Sequence, residues 1–394
     1  MKINIKIILI LAVLILLIGA CITKFLPEVT DEKNVLVVDG MITDMAREYT
    51  VKLTVSQPLG EKTISVPVVG AQVKISDDQG NIYTMFSKGN GLYSSMNLFR
   101  GVVGRKYSVQ IQASVNGSGI RSYESVPVEL KPVPPIDSLY YEKVIIKENK
   151  INPYEQLEGC QVYLDTHDNG EECTYYRWGY NETWEFRIPW ETPNHICWIT
   201  RKSLNINVKN TSELAENRIM KYPLNFISNT SDRLSVKYSM YVTQYSMSQD
   251  EYTFWEKLKN VYGNVGGLYD MIPASIAGNM ICTDDKSLPV LGYFSVSGES
   301  SRRIFIKDHF SGLYNPYRQC IKDTVQGYPN EGYPIPGLGL YVWIILDHSF
   351  PNHPAYVVLT DDYGCYDCTF RGTTFKPDFW DDDKLGTMEN LRKP

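Results

Sequence analysis

The chain has 394 residues, 43% of them hydrophobic, and a formal net charge of -6. That length and apolar share allow roughly two or three buried cores. The acidic balance, without an extended Lys/Arg run, excludes the basic stripe that nucleic acid requires. Tyr is abundant at 28 residues, beside 13 Phe and 7 Trp. Such side chains suit pleated sheets and contact surfaces that need an apolar body with a polar tip.

The chain opens with Lys2 and Lys6, an unbroken apolar run from Ile7 to Ile18, and Gly19-Ala20 before Cys21. A charged start, a short apolar stretch and small residues before a cysteine read as a lipoprotein signal. The run is too short for a hydrocarbon core, which takes about 20 apolar residues. Residues 1–20 are therefore expected to be removed, with Cys21 carrying the lipid. The mature protein is then held at a bacterial envelope membrane without crossing it. Disulfides are permitted in that compartment. Residues 21–34 read as a mildly acidic tether.

Short strand patterns begin at Val35. Tyr49, Val51, Leu53 and Val55 alternate with polar residues, as do Ala71, Val73 and Ile75, and Tyr107, Val109 and Ile111. Asp77-Asp78-Gln79-Gly80 and Asn116-Gly117 supply turns. The spacing predicts an immunoglobulin-like β-sandwich over 35–131. Pro132 to Pro135 then breaks the pattern, and 132–136 reads as a stiff linker between domains.

Residues 137–394 read as a larger β-rich domain. Strand patterns cover Leu139 to Ile146, Tyr175 to Phe186, Leu204 to Val208, Leu234 to Val242, Val290 to Val296, Arg303 to Ile306, Leu340 to Leu346 and Ala355 to Leu359. One helix is predicted. Ser248 caps it, Glu251 is placed to reach back in a capping box, and Gly263 ends it. Phe254, Trp255, Leu258, Val261 and Tyr262 share a face that reads as core packing. The fold class is thus all-β, with one or a few helices.

In order along the chain stand Val35-Leu36-Val37-Val38-Asp39-Gly40-Met41-Ile42, Pro67-Val68-Val69-Gly70-Ala71-Gln72-Val73 and Pro134-Pro135-Ile136-Asp137-Ser138. Tyr176-Arg177-Trp178, Glu182-Thr183-Trp184, the segment from Tyr238 to Gln244, the helix with Trp255, Gly278-Asn279 and Leu291-Gly292-Tyr293-Phe294 come next. The set closes with Cys365-Tyr366-Asp367-Cys368, Arg371-Gly372-Thr373-Thr374 and Lys376 to Trp380. This ordered set resembles the Bacteroidota outer-membrane lipoprotein family known as domain of unknown function 4249. The resemblance implies an all-β lipoprotein with an N-terminal immunoglobulin-like domain. It also implies company with TonB-dependent outer-membrane transporters. It carries no catalytic residues over to this chain.

Of the 8 cysteines, all but Cys21 lie in the second region: Cys160, Cys173, Cys197, Cys282, Cys320, Cys365 and Cys368. Cys365 and Cys368 form a C-x-x-C. A redox pair would need a thioredoxin-like βαβ setting, and zinc would need a second Cys/His pair, for which His348 and His353 are the nearest histidines. The expectation is instead that they bond to distant cysteines such as Cys320 and Cys197. Cys160 and Cys173 flank Asp168-Asn169-Gly170 and could pair locally, with Asn169-Gly170 as a hairpin turn. Asp165 to Gly170 fails as a calcium loop, because His167 takes a ligand position and the distal Glu is missing. Asp381-Asp382-Asp383 reads as a solvated acidic tail. Asp137-Ser138-Leu139 and Asp323-Thr324-Val325 resemble acceptor sites for O-linked glycans.

No nucleophile elbow, zincin motif, phosphate loop or dinucleotide fingerprint is present. The expectation is a non-enzymatic, lipid-anchored and surface-exposed outer-membrane protein with no cofactor and no metal site. Its expected partner is a TonB-dependent transporter, for which it captures substrate or covers the opening. One alternative is a structural subunit of an envelope complex. Another is a carboxylate-based glycoside hydrolase, whose two carboxyl groups would lie about 5–10 Å apart across a cleft.

Overall fold

The computed structural model describes residues 35–56, 66–115, 117–147, 151–152, 156–170, 172–189, 192, 194–263, 276–320, 323–326, 342–345, 356–360 and 362–384. Cys21, the signal, the tether, Asn116, His348 and His353 lie outside them. The strands of the first region are β1 (Leu36–Thr43), β2 (Thr50–Val55), β3 (Val66–Pro67), β4 (Gln72–Asp77), β5 (Ile82–Gly89), β6 (Leu92–Ser95), β7 (Lys106–Ser114), β8 (Ile120–Ser125) and β9 (Val128–Glu129). Next come β10 (Ile136–Lys147), β11 (Leu157–His167), β12 (Tyr175–Arg187), β13 (Ile196–Lys202), β14 (Asn207–Asn210), β15 (Arg218–Ile227), β16 (Lys237–Ser246) and helix α1 (Gln249–Gly263). The chain continues with β17 (Met280–Cys282), β18 (Leu291–Ser297), β19 (Glu299–Ile306), β20 (Asp323–Gln326), β21 (Val342–Ile345) and β22 (Tyr356–Thr360). The fold is all-β with one α-helix among the described residues.

The first sheet keeps the predicted alternation. Val51, Leu53, Val73, Ile75, Val109 and Ile111 point inward, and the polar residues between them stay outside. Its strand order is β17-β8-β7-β4-β5-β6-β2-β1-β18. Two of these strands come from beyond the Pro-rich linker. The expected self-contained unit over 35–131 is therefore completed by 280–297. β18 runs parallel to β1, from Val37 beside Leu291 to Thr43 beside Ser297. Its Phe294 and Val296 join the first core.

Asn279 ties the two ends of this strand order together. Its amide NH2 donates to the Phe294 carbonyl at 2.9 Å, and its amide oxygen accepts from the Phe294 N–H at 2.9 Å. A side chain here imitates a ladder partner. The backbones approach too closely for a Cβ. One built on Gly278 would lie 1.5 Å from the Gly292 oxygen. Gly292 itself has φ +91°, a left-handed conformation that glycine adopts freely.

The second region is a two-layer sandwich. One layer is β10-β11-β15 and the other β13-β12-β16-β19, with β14 added on β12. Cys160, Val162 and Leu164 from β11 meet Tyr176, Trp178 and Met240 from the facing layer in one core. β20, β22 and β21 form a separate small sheet, which carries the Asp323-Thr324-Val325 motif.

The two regions are coupled through the linker and Gly298. The Lys131 carbonyl accepts from Ser246 Oγ at 2.7 Å and from the Gly298 N–H at 3.0 Å. The Pro134 carbonyl accepts from Gln244 Nε2 at 2.8 Å and Ser300 Oγ at 2.9 Å. Prolines have no N–H with which to join a ladder, and the carbonyls of this segment are satisfied instead by side chains of the second region and by the Gly298 N–H. Gly298 alone separates β18 of the first sheet from β19 of the second.

Candidate functional site

Both outer faces of the second-region sandwich bear on function, and they differ. The outer face of the β12–β16 layer is covered at two places, and the first cover is α1. Ser248 Oγ accepts from the Glu251 N–H at 3.1 Å, so half of the expected capping box forms. Glu251 does not reach back. Its fully buried carboxylate accepts from the Trp255 indole at 3.2 Å and from Ser295 Oγ at 2.6 Å. Burial pushes its pKa up from 4.5, against the pull of the nearby Arg177 cation. The Arg177 guanidinium sits 4.6 Å from the Trp255 ring centroid and 5.0 Å from that of Tyr245. Phe254 and Leu258 are buried as expected, while Val261 is exposed and the Tyr262 side chain lies outside the described residues.

The second cover is a C-terminal strap over 362–384. Cys368 is bonded to Cys197 and Cys365 to Cys320, which matches the expected distant pairing. Thr373 forms an isolated bridge with Trp198. Trp380 is buried, and its indole donates to Glu185 at 3.1 Å. The Lys237 ammonium lies 4.8 Å from the Trp380 ring centroid and 4.5 Å from that of Phe305. The acidic tail departs from a purely solvated reading at Asp381, which pairs with Lys376. The strap also displays apolar rings outward. Tyr363, Phe370 and Phe375 are 50%, 66% and 83% exposed. Tyr363 and Phe370 stack at 5.6 Å. Neighbouring Asp367 is held below the usual carboxylate range, first by the Thr369 hydroxyl and then by Asn194.

The outer face of β10-β11-β15 has no covering element among the described residues. Tyr140 stands opposite Tyr163, Ser138 opposite Asp165, and Glu142 opposite Gln161. The Tyr140 and Tyr163 rings lie side by side, 5.7 Å apart and tilted by 30°. Asp165 accepts from Ser138 Oγ at 2.7 Å, Tyr140 OH at 3.3 Å and the Lys221 N–H at 2.6 Å. Burial, then Asp165, raises the Tyr140 pKa. At one end His167 Nδ1 meets Asp137 at 2.6 Å. Lys221 has φ +51°, a conformation that non-glycine residues rarely adopt. It sits in a bulge where the register steps from Leu164–Tyr222 to Thr166–Ile219. From there its ammonium reaches Glu142 at 2.7 Å and lies 4.9 Å over the Tyr163 ring. Sequence reading missed this face. The β11 alternation could have found half of it, but Pro223 hides β15.

Several expectations are corrected. Cys160 and Cys173 do not pair; both are free and buried, as is Cys282. Cys160 belongs to β11 of one layer, while Cys173 leads into β12 of the other. Asp168-Asn169-Gly170 therefore joins two sheets and closes no hairpin. Neither Asn169 nor Gly170 takes a positive φ, and the Asp168 carboxylate accepts from the N–H groups of Gly170 and Cys173 instead. Burial lifts the Cys160 and Cys173 thiols to about 12. The predicted strand at Leu204 to Val208 starts only at Asn207.

Two buried carboxylates of the β12 strand are occupied, whereas Glu251 Oε2 has no hydrogen-bond partner among the described residues. Glu182 receives both contacts of Arg233 Nη1 at 3.0 Å, Tyr238 OH at 2.7 Å and Asn225 at 3.0 Å. Glu185 holds Arg187 at 2.6 Å beside Trp380. Among the described residues no group of three or more His, Cys, Asp or Glu is placed to hold a metal ion. No helix among them is long and apolar enough to cross a membrane.

Similar solved structures include a two-domain fibronectin type-III segment from chicken tenascin. It is 15% identical, with 54% of this chain and 90% of that one covered and a TM-score of 0.14. A DUF4785 family protein from Legionella pneumophila is 8% identical, with 53% and 51% covered and a TM-score of 0.18. No curated protein matches the chain. The family model described as domain of unknown function DUF4249 matches residues 22–303, and the chain belongs to that family.

Proposed function

We propose that this protein is a lipid-anchored, surface-exposed outer-membrane protein that works beside a TonB-dependent transporter, without catalysis of its own. It captures substrate for the transporter or covers its opening. The observation that carries this reading is the strap, where Tyr363, Phe370 and Phe375 face outward on a segment fixed by two disulfides. Exposed aromatics on a pre-ordered support have the character of interface hot spots, since little entropy is lost on docking. The disulfides agree with a compartment outside the cytoplasm. The Cys21 signal agrees with an anchor in the transporter's own membrane, which raises effective concentration so that a small contact suffices. Occupation of Glu182 and Glu185 by structural partners weighs against the hydrolase alternative.

The anchor is tested by Cys21→Ala, which is expected to move the protein out of the membrane fraction or leave its signal uncleaved. A variant that is cleaved and stays as membrane-bound as the parent would remove the lipoprotein reading. A structural envelope subunit is the competing role. It gains weight if the tagged protein brings down an envelope assembly that lacks any transporter.

A further inference from the structure

The face of β10-β11-β15, which no element among the described residues covers, has the chemistry of a ligand platform. Tyr140 and Tyr163 form an aromatic floor of two adjacent rings. Around the floor stand hydrogen-bonding groups of both kinds: the Asp137–His167 pair, the Ser138–Asp165 pair and the Glu142–Lys221 pair. Each charge on the face already has its opposite or a set of donors. Asp165 is met only by neutral donors, so beyond the Asp137–His167 and Glu142–Lys221 pairs the platform keeps an excess negative charge, which disfavours an anionic ligand. What fits is a ligand with flat apolar C–H faces and many neutral hydroxyls, which both donate and accept.

We propose that this face binds a neutral saccharide chain, with sugar rings laid on Tyr140 and Tyr163 and hydroxyls bonded by the flanking pairs. Lys221 is the adjustable element. Its left-handed backbone holds the ammonium on Glu142 and beside the Tyr163 ring, and a bound sugar moves it off the ring while the Glu142 contact is kept. The strained bulge aims both the Lys221 ammonium and its N–H, which donates to Asp165, at this face, a cost of the kind that accompanies a site. The floor spans β10 and β11, and β10 is an edge strand of its layer. It therefore suits a chain running across the strands better than a small molecule in a closed pocket.

This inference names the class of substrate in the capture reading, and rests on that reading only for the delivery of bound saccharide to a transporter. Its test needs no transporter. Full-length lipoprotein in detergent is run in native gels containing dextran, laminarin or galactomannan as neutral probes and polygalacturonate as the anionic one. Retardation by at least one neutral probe is expected, and Tyr163→Ala or Tyr140→Ala should weaken it about tenfold, which is about 1.4 kcal/mol. Lys221→Gly relieves the backbone and removes the ammonium together. It should melt no lower than the parent and still bind more weakly, an outcome that a purely structural role for Lys221 does not give. The proposal is overturned if no neutral probe retards the protein, if the tyrosine variants bind as the parent does, or if polygalacturonate is preferred.

Discussion

Asn279 shows how one side chain can decide a fold. Its amide gives one donor and one acceptor to Phe294 in a buried place. Asn279→Ala leaves the Phe294 N–H and C=O without partners, at about 1–3 kcal/mol for each. Asn279→Asp is expected not to rescue it, because a carboxylate accepts from the N–H but cannot donate to the carbonyl. Thermal melts check this, and equal melting of parent and both variants would contradict it. Gly278-Asn279 and Leu291 to Phe294 stand out in the sequence as separate pieces. Their meaning was not legible there, because the pairing that joins them is a close backbone approach set by tertiary structure. Glu251 gives a second case. Its pKa is raised in the folded state, so folding favours its protonated form. That contribution is fully present below about pH 4.5 and is lost as pH rises through the folded value. Glu251→Gln keeps the shape and removes the charge. Its stability should decline less than the parent's as pH rises above 4.5, read from melts across pH. A parent and variant with parallel profiles would remove the argument.

At the scale of elements, the strap is held by both covalent and packing contacts. Removing Cys197–Cys368 by a double Ser substitution should cost about 2–5 kcal/mol, and the intact protein should melt lower in reductant. Melting that ignores reductant would contradict the pairing. The three free thiols among the described residues are buried, and the reactive form is the thiolate. A maleimide probe is therefore expected to label none of Cys160, Cys173 and Cys282 in the native, oxidised protein and all of them after denaturation without reductant. Strands with clean alternation, such as β2, β4 and β7, were legible in sequence. β15 was not, since Pro223 interrupts it, and β13 was not, since Cys197, Trp198 and Ile199 are buried in succession, on both faces, and so do not alternate. The distant cysteine pairing was legible because zinc and redox settings are missing around the C-x-x-C. The free pair was misread because Asn-Gly resembles a hairpin turn wherever it stands.

The whole molecule is one coupled body of two sandwich cores. The linker carbonyls are pinned by the second region, and the first sheet borrows β17 and β18 from it. A fragment of residues 33–131 is consequently expected to lack a cooperative melt, since β1 loses its parallel partner and the core loses Phe294 and Val296. A sharp transition in that fragment would show the borrowed strands to be dispensable. This coupling keeps the aromatic strap and the open β10-β11-β15 face at fixed positions relative to the first sheet, whose leading strand comes after the Cys21 tether. The central claim is that the fixed strap docks on a TonB-dependent transporter. The most direct measurement is affinity purification of the tagged full-length protein from its native outer membrane, beside the double variant Phe370→Ala/Phe375→Ala. Both positions are exposed, so the variant should melt as the parent does. The transporter is expected with the parent and lost, or reduced at least about tenfold, with the variant, as for hot-spot residues. Recovery of no transporter by the parent, or equal recovery by both proteins, would contradict it.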